Sequence, residues 1–248
     1  MQFLMKFPIA KRVQPFFYCL DLWLNKASGN HPMRWVISMD RGDPQLDTPA
    51  IRKRLREEYI GQRGVDMQFF YNDGIRDKID AVNANRKAEG EFEIGVLVSD
   101  DMHPVTDGYD EVIVQDMQKF YPDLFGALNY ADGITKPHQK CCMLTIAGKP
   151  LLDWLGDWYY PGYKSVYADN ELTHVCRDQL GVMQEIHRVI VKHNHGGDKR
   201  DPLAKQNAAY NNHDARMFKR RMARGFPSAN RGPCPEKYQK LVAERTPG

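Results

Sequence analysis

The stretch Phe92-Glu93-Ile94-Gly95-Val96-Leu97-Val98-Ser99-Asp100-Asp101-Met102 decides how this chain is read. Its first part is an apolar run of strand length, the pattern of a buried strand. Ser99-Asp100-Asp101-Met102 then puts two adjacent carboxylates at the end of that run. Like charges so close raise each other's pKa. A hard divalent cation relieves this, and such an ion keeps positions open for substrate phosphates. The pair therefore points to Mg²⁺ or Mn²⁺ with a diphosphate. Standing alone, two aspartates fit a solvated loop or a helix N-terminus equally well.

Outward from that strand, toward the N-terminus, strand and helix signals alternate. Phe3–Ile9, Met33–Met39 and Met67–Tyr71 read as strands; Val13–Asn25, Thr48–Tyr59 and Ile75–Ala88 read as helices, with Thr48 as an N-cap. This rhythm predicts an α/β fold with a mainly parallel sheet covered by helices. Ligands of such sheets sit beyond the carboxyl ends of the strands. Lys11-Arg12, Asp40, Asn72 and Asp100-Asp101 all fall at those ends. No GxGxxG follows the first strand, which argues against a dinucleotide site.

Toward the C-terminus the pattern is less regular. Val112–Phe120 and Pro150–Leu155 predict helices and Cys141–Ile146 a strand. The segment 156–167 is an aromatic loop with Trp158, Tyr159, Tyr160 and Tyr163. A helix over Asn170–Leu180 is entered through Asp169, an expected cap. His187–Lys192 predicts a strand ending in His193-Asn194-His195, and Pro202–Arg224 one long helix. Residues 225–248, rich in Pro, Gly and charge, read as an irregular tail.

The chain of 248 residues is long enough for a large α/β core. No apolar run is long enough to cross a bilayer. The opening Met1–Lys6 is too short and too soon charged for a secretory signal, so a cytoplasmic location is expected, without membrane insertion. Five cysteines without a CxxC pair point away from a disulfide framework or a zinc site. From Asp198 onward there are twelve Lys and Arg against five Asp and Glu. Arg216, Lys219, Arg220, Arg221 and Arg224 form the densest patch, either a solvated helix face or a surface for a polyanion.

Taken in order, the residues Phe7-Pro8 through Arg12, Ile37-Ser38-Met39-Asp40, Tyr71-Asn72-Asp73-Gly74 with Lys78 and Asn83, Val98-Ser99-Asp100-Asp101-Met102, Tyr167-Ala168-Asp169-Asn170-Glu171-Leu172 and His193-Asn194-His195 resemble the GT-A fold glycosyltransferases, especially the family 2-like enzymes. The resemblance spans about residues 1–220. It implies a single Rossmann-like domain over 1–224, comprising a nucleotide-sugar half (1–102), an acceptor half (103–200) and a C-terminal helix (201–224). It further implies that Arg12, Asp40, Asn72, Lys78 and Asp100 line the donor pocket, and that a UDP-sugar is the first donor to consider. Asp101 and one of His193 and His195 would hold Mn²⁺ or Mg²⁺. Asp169 would be the base in an inverting transfer, with Glu171 left open as the alternative. Trp158, Tyr159 and Tyr160 would face the acceptor.

The compact length and the basic C-terminal helix are also similar to small glycosyltransferases often encoded by phages. Some of these glycosylate hydroxymethylated bases in DNA, which would place the protein in a host cytoplasm with DNA against Arg216–Arg224. A glycan or lipid-linked acceptor is the rival within the enzyme class. A nucleotide-binding module without catalysis is the rival outside it.

Overall fold

The computed structural model describes residues 1–61, 64–75, 77–133, 141–194 and 202–232, together with Glu236 and Tyr238. Strand β1 (Phe3–Ile9) passes through Lys11, held at φ 60°, into helix α1 (Val13–Lys26). Helix α1 buries Phe16, Phe17, Leu20 and Trp23, one stripe at helical spacing. Strand β2 (Met33–Asp40) and helix α2 (Pro49–Glu58) follow. The side chain of Thr48 accepts the Ile51 N–H at 3.2 Å, so the expected cap is present. Strand β3 (Asp66–Asn72), helix α3 (Lys78–Asn83) and strand β4 (Ile94–Leu97) complete the first half.

The second half contains β5 (Met102–Pro104), α4 (Tyr109–Phe120), β6 (Ala127–Tyr130), β7 (Ile146–Gly148), α5 (Lys149–Leu155) and α6 (Ala168–Thr173). A π-helical turn over His174–Gln179 leads to β8 (Met183–Ile186) and β9 (Val191–His193). Helices α7 (Pro202–Ala208) and α8 (Asn211–Met222) close the order.

Among the described residues, seven strands form one sheet in the order β3-β2-β1-β4-β7-β6-β8. Only β7 runs antiparallel to its neighbours, so the sheet is mainly parallel, as expected. Phe3, Met5 and Phe7 face the side of the sheet covered by α1 and α4; Leu4 and Val36 share the opposite core with Ile79, Leu151, Leu152 and Trp158. Strands β5 and β9 form a separate antiparallel ribbon.

Several expectations are corrected. The helix expected over Ile75–Ala88 is α3 and a 3₁₀ turn at Arg86–Ala88, divided by Asn85 at φ 61°. The strand expected over Cys141–Ile146 begins only at Ile146. Cys142 instead spends its N–H on Thr173 Oγ1 at 2.7 Å, outside any strand. Of the strand expected over His187–Lys192, only Val191 and Lys192 are strand, in β9; residues 187–190 carry the chain out of the main sheet after β8 to pair with β5. The long helix expected over Pro202–Arg224 breaks between α7 and α8. The start of the tail is irregular yet packed: Phe226 is buried, and the Gly232 N–H donates to the Trp154 carbonyl.

Candidate active site

The acidic turn after β4 is held from behind by α1. Trp23 Nε1 donates to the Met102 carbonyl at 2.9 Å, and the Cys19 thiol lies 3.3 Å from the carbonyls of both Ser99 and Met102. The ribbon holds it from the front. Met102 pairs with His193, and the Asn194 N–H donates to the Asp101 carbonyl at 2.7 Å. Backbone pairing therefore delivers His193 to Asp101, with Nε2 3.2 Å from Oδ2. Ser99 Oγ donates to the other oxygen, Oδ1, at 2.5 Å.

The two adjacent aspartates are differentiated by these partners. Burial pushes the Asp100 carboxyl above its ordinary value, and Asp101 adds to this against the opposing Arg12 guanidinium. Arg12 Nη1 reaches both Asp100 oxygens, at 3.2 and 3.3 Å. Burial also acts on Asp101, but the hydrogen bonds from His193 and Ser99, with the charges of His193 and Lys78, outweigh it and hold this carboxyl well below the usual range. Asp101 is thus the committed anion of the pair.

Asp40 ends β2, opposite Asn72 of β3. Burial and the neighbouring Asp43 raise its carboxyl, against Lys11. Asp43, missed in the sequence, organises this corner by accepting the N–H groups of Lys11, Gln45 and Leu46. Lys78 is exposed in the first turn of α3, close enough for its charge to act on Asp101. Asn72 is used differently from the expectation. Its amide exchanges two hydrogen bonds with Asn85, at 2.8 and 3.0 Å, and Ser38 Oγ donates to the same Asn85. The Asn72 side chain, still partly exposed, is thereby tied to the turn after α3.

Asp169 lies inside the first turn of α6. It is not the cap, which is Tyr167 at φ 66°. It is partly exposed, and the nearby Cys141 thiol is pushed up to about 12 by burial and by Asp169. Glu171, the alternative base, is buried and fully engaged. Arg221 grips it through Nε at 2.6 Å and Nη2 at 2.7 Å, and the Tyr163 hydroxyl donates to it at 2.8 Å. Both Glu171 oxygens are thus spent on a charge-assisted fork inside the core.

The acceptor platform needs correction. Trp158 and Tyr159 are 1% and 8% exposed. A Cβ on Gly95 would lie 2.7 Å from the Trp158 ring, so the glycine in the deciding strand is what lets the indole pack flat against the sheet. Trp158 Nε1 donates to Glu89, and the Tyr159 hydroxyl meets Thr145 Oγ1. Tyr160 keeps partial exposure, but its ring lies under the Arg221 guanidinium at 3.2 Å. Arg221 is accordingly a core residue, while Arg216, Lys219, Arg220 and Arg224 are exposed. His195 lies outside the described residues, so of the two candidate histidine ligands the structure places only His193.

Among the described residues, no three His, Cys, Asp or Glu side chains converge as an ion site of their own. A carboxylate and an imidazole already in contact, the carboxylate partly open to solvent, do fit a divalent ion that takes its remaining ligands from a phosphate and water.

No family model matches the chain, and no curated protein matches it by sequence. Solved structures do match it in fold. The mannosyltransferase PcManGT from Pyrobaculum calidifontis, solved with GDP-Man and Mn²⁺, superposes with a TM-score of 0.60 at 12% identity, over 98% of this chain and 68% of that one. TarS of S. aureus, solved with UDP-GlcNAc, gives 0.57 at 12% identity, over 98% and 71%. Glucosyl-3-phosphoglycerate synthase from Mycobacterium tuberculosis, solved with Mn²⁺, UDP and glucosyl-3-phosphoglycerate, gives 0.56 at 10% identity, over 92% and 81%. The fold is GT-A.

Proposed function

We propose that the chain is a metal-dependent glycosyltransferase that moves a sugar from a nucleotide-sugar donor to an acceptor hydroxyl, with inversion. The observation that carries this reading is the Asp101–His193 contact, made by a dedicated ribbon at the carboxyl edge of a GT-A sheet. The three similar structures were solved with nucleotide or nucleotide-sugar, two of them with Mn²⁺.

Asp101 and His193 would hold the ion, with His195 a further candidate; when bound, Mn²⁺ or Mg²⁺ supplies charge stabilisation at the leaving diphosphate. Arg12 keeps Asp100 oriented beside the donor, and Asp40 stands at the strand end where the nucleoside would lie. Lys78 adds positive charge on the diphosphate side. Asp169 takes the proton of the acceptor hydroxyl as its oxygen attacks the anomeric carbon. The bond to the nucleoside diphosphate breaks on the opposite face and the diphosphate leaves with the bonding pair. The Arg221 fork on buried Glu171 favours Asp169 over Glu171 for that role.

Nucleotide release from UDP-glucose, UDP-GlcNAc and GDP-mannose, with Mn²⁺ or with EDTA, tests the reading. Release that needs the metal supports it; equal release in EDTA removes the metal from it.

For the acceptor, the exposed cations Arg216, Lys219, Arg220 and Arg224 favour a polyanion, and hydroxymethylated duplex DNA is the acceptor we put first. Binding should then weaken with salt by a log–log slope of about −0.9 per phosphate contacted. Salt-insensitive binding, or none, would leave a glycan or lipid-linked acceptor.

A further inference from the structure

Helix α8, whose exposed cations are proposed for the acceptor, stands apart in sequence from the donor and base residues, yet it is built into the surroundings of Asp169. Arg221, its penultimate residue, is 6% exposed and enters the core to meet Glu171, two positions beyond Asp169 on α6. The Tyr163 hydroxyl binds the same Glu171 oxygen as Arg221 Nε. The Tyr160 ring covers the guanidinium. About two turns earlier on α8, Asp214 is fully buried and accepts the N–H groups of Lys164, Ser165 and Val166 at 3.0, 2.8 and 2.9 Å. These are the residues that lead into Tyr167, whose left-handed backbone aims the chain into α6. Lys164 then reaches across to Asp77, the cap of α3, at 2.9 Å.

Helix α6 is only six residues long and its cap contributes no side-chain hydrogen bond. Even continued by the π-helical turn over His174–Gln179, so short a helical segment has little stability of its own. Its orientation is set by what it packs against and by what grips it: Ala168 and Leu172 are buried in the core, and α8 adds a grip on both sides of Asp169, on the loop before it through Asp214 and on the turn after it through Arg221. A bidentate guanidinium fixes distance and angle together, which a single point charge does not.

We infer that Arg221, acting through Glu171 and Tyr163, is the positioning residue for the base Asp169. The inference rests on the proposed role of Asp169 and assigns to the C-terminal helix a part in the reaction separate from acceptor recognition.

The test compares wild type, Arg221→Lys, Tyr163→Phe and Asp169→Asn, using whichever of UDP-glucose, UDP-GlcNAc and GDP-mannose the wild type turns over with Mn²⁺. Nucleotide release gives kcat and KM, and thermal unfolding reports on the fold. Lysine keeps the charge but loses the fork; phenylalanine keeps the packing but loses one hydrogen bond, so the second variant serves if the first does not fold. A misplacement near 1 Å costs on the order of 100-fold. We expect Arg221→Lys to lose between about 10- and 100-fold in kcat, and Tyr163→Phe less than that, with donor KM unchanged in both, the signature of an interaction needed only in the transition state. Folded variants with wild-type kcat, or a loss confined to KM, would overturn the inference. Wild-type release by Asp169→Asn would instead remove Asp169 as base, and a wild type inert toward all three donors would remove the glycosyltransferase reading, each taking the role of Arg221 with it.

Discussion

Asp101 stands at the end of a central strand, whereas Asp169 stands in the first turn of a six-residue helix. The first is placed by ladder pairing: β4 lies beside β1, α1 clamps the turn, and the β5–β9 ribbon brings its imidazole. The second is placed by side chains, with Asp214 and Arg221 reaching in from a helix near the C-terminus. Backbone ladders tolerate surface change because every residue contributes. A side-chain grip concentrates the same task in two or three groups. The proposed donor side should therefore respond mainly to substitution at its ligands and at the groups bonded directly to them, and the proposed base side also to residues that touch neither substrate.

The sharpest way to break the comparison is at the two carboxylates themselves. Asp169→Asn should lower turnover by about 10²–10⁴-fold, the usual share of a general base, while leaving donor binding intact. Kinetics beside calorimetric titration of the donor separate the two effects, and full turnover would exclude Asp169. Asp101→Ala should do the reverse, weakening Mn²⁺ binding by more than the ~10–100-fold typical of groups that merely support a ligand. Unchanged Mn²⁺ affinity by titration would sink the proposed metal site.

The next effect concerns the grip. Arg221→Ala leaves Glu171 buried without its guanidinium, and should cost about 3–5 kcal/mol in denaturant unfolding. A loss below 1 kcal/mol would mean that α6 is held by something other than α8. Ser99→Ala removes only the hydrogen bond to Asp101 Oδ1 and should weaken Mn²⁺ affinity by roughly tenfold, at the low end of supporting contacts. Smallest of all, Thr48→Ala removes the cap of α2, far along the chain from either carboxylate. It should cost about 1 kcal/mol of stability and leave turnover unchanged.

The same division explains what could be read from the sequence. Strands β1 to β4 announce themselves because each is a short apolar run bounded by turn or cap residues, and their order puts Asp40 and Asp100-Asp101 on one edge. Strand β6 was not seen. Its four residues, Ala127-Leu128-Asn129-Tyr130, carry no periodicity and become a strand only because β7 and β8 flank them. The break between α7 and α8 was equally hidden, although the basic spacing was visible. Tyr210 carries the N-cap of α8 without a side-chain bond, and Asp214, which reads as an ordinary first-turn acid, is drawn into the core by three N–H groups elsewhere. Arg221 looked like one more cation on a solvated face. Nothing in its neighbours distinguishes it from Arg220; the buried Glu171 opposite does. The aromatic loop misled for a related reason. Glycine at position 95 lets Trp158 lie against the sheet, and a glycine's partner cannot be read without the fold.

The β5–β9 ribbon carries a consequence for how the protein reaches its working state. His103 in β5 and Asn194, just past β9, are in hydrogen-bond contact across 91 positions of the chain. Closing so long a loop costs entropy that only the finished contacts repay, and pairings this distant form late and slowly. A chain in which β9 has not yet paired with β5 would present the Asp101 carboxylate without the His193 imidazole, and not a chelate. On the proposed metal site, Mn²⁺ affinity would act as a completion signal: binding at the wild-type strength would report that β9 has docked on β5.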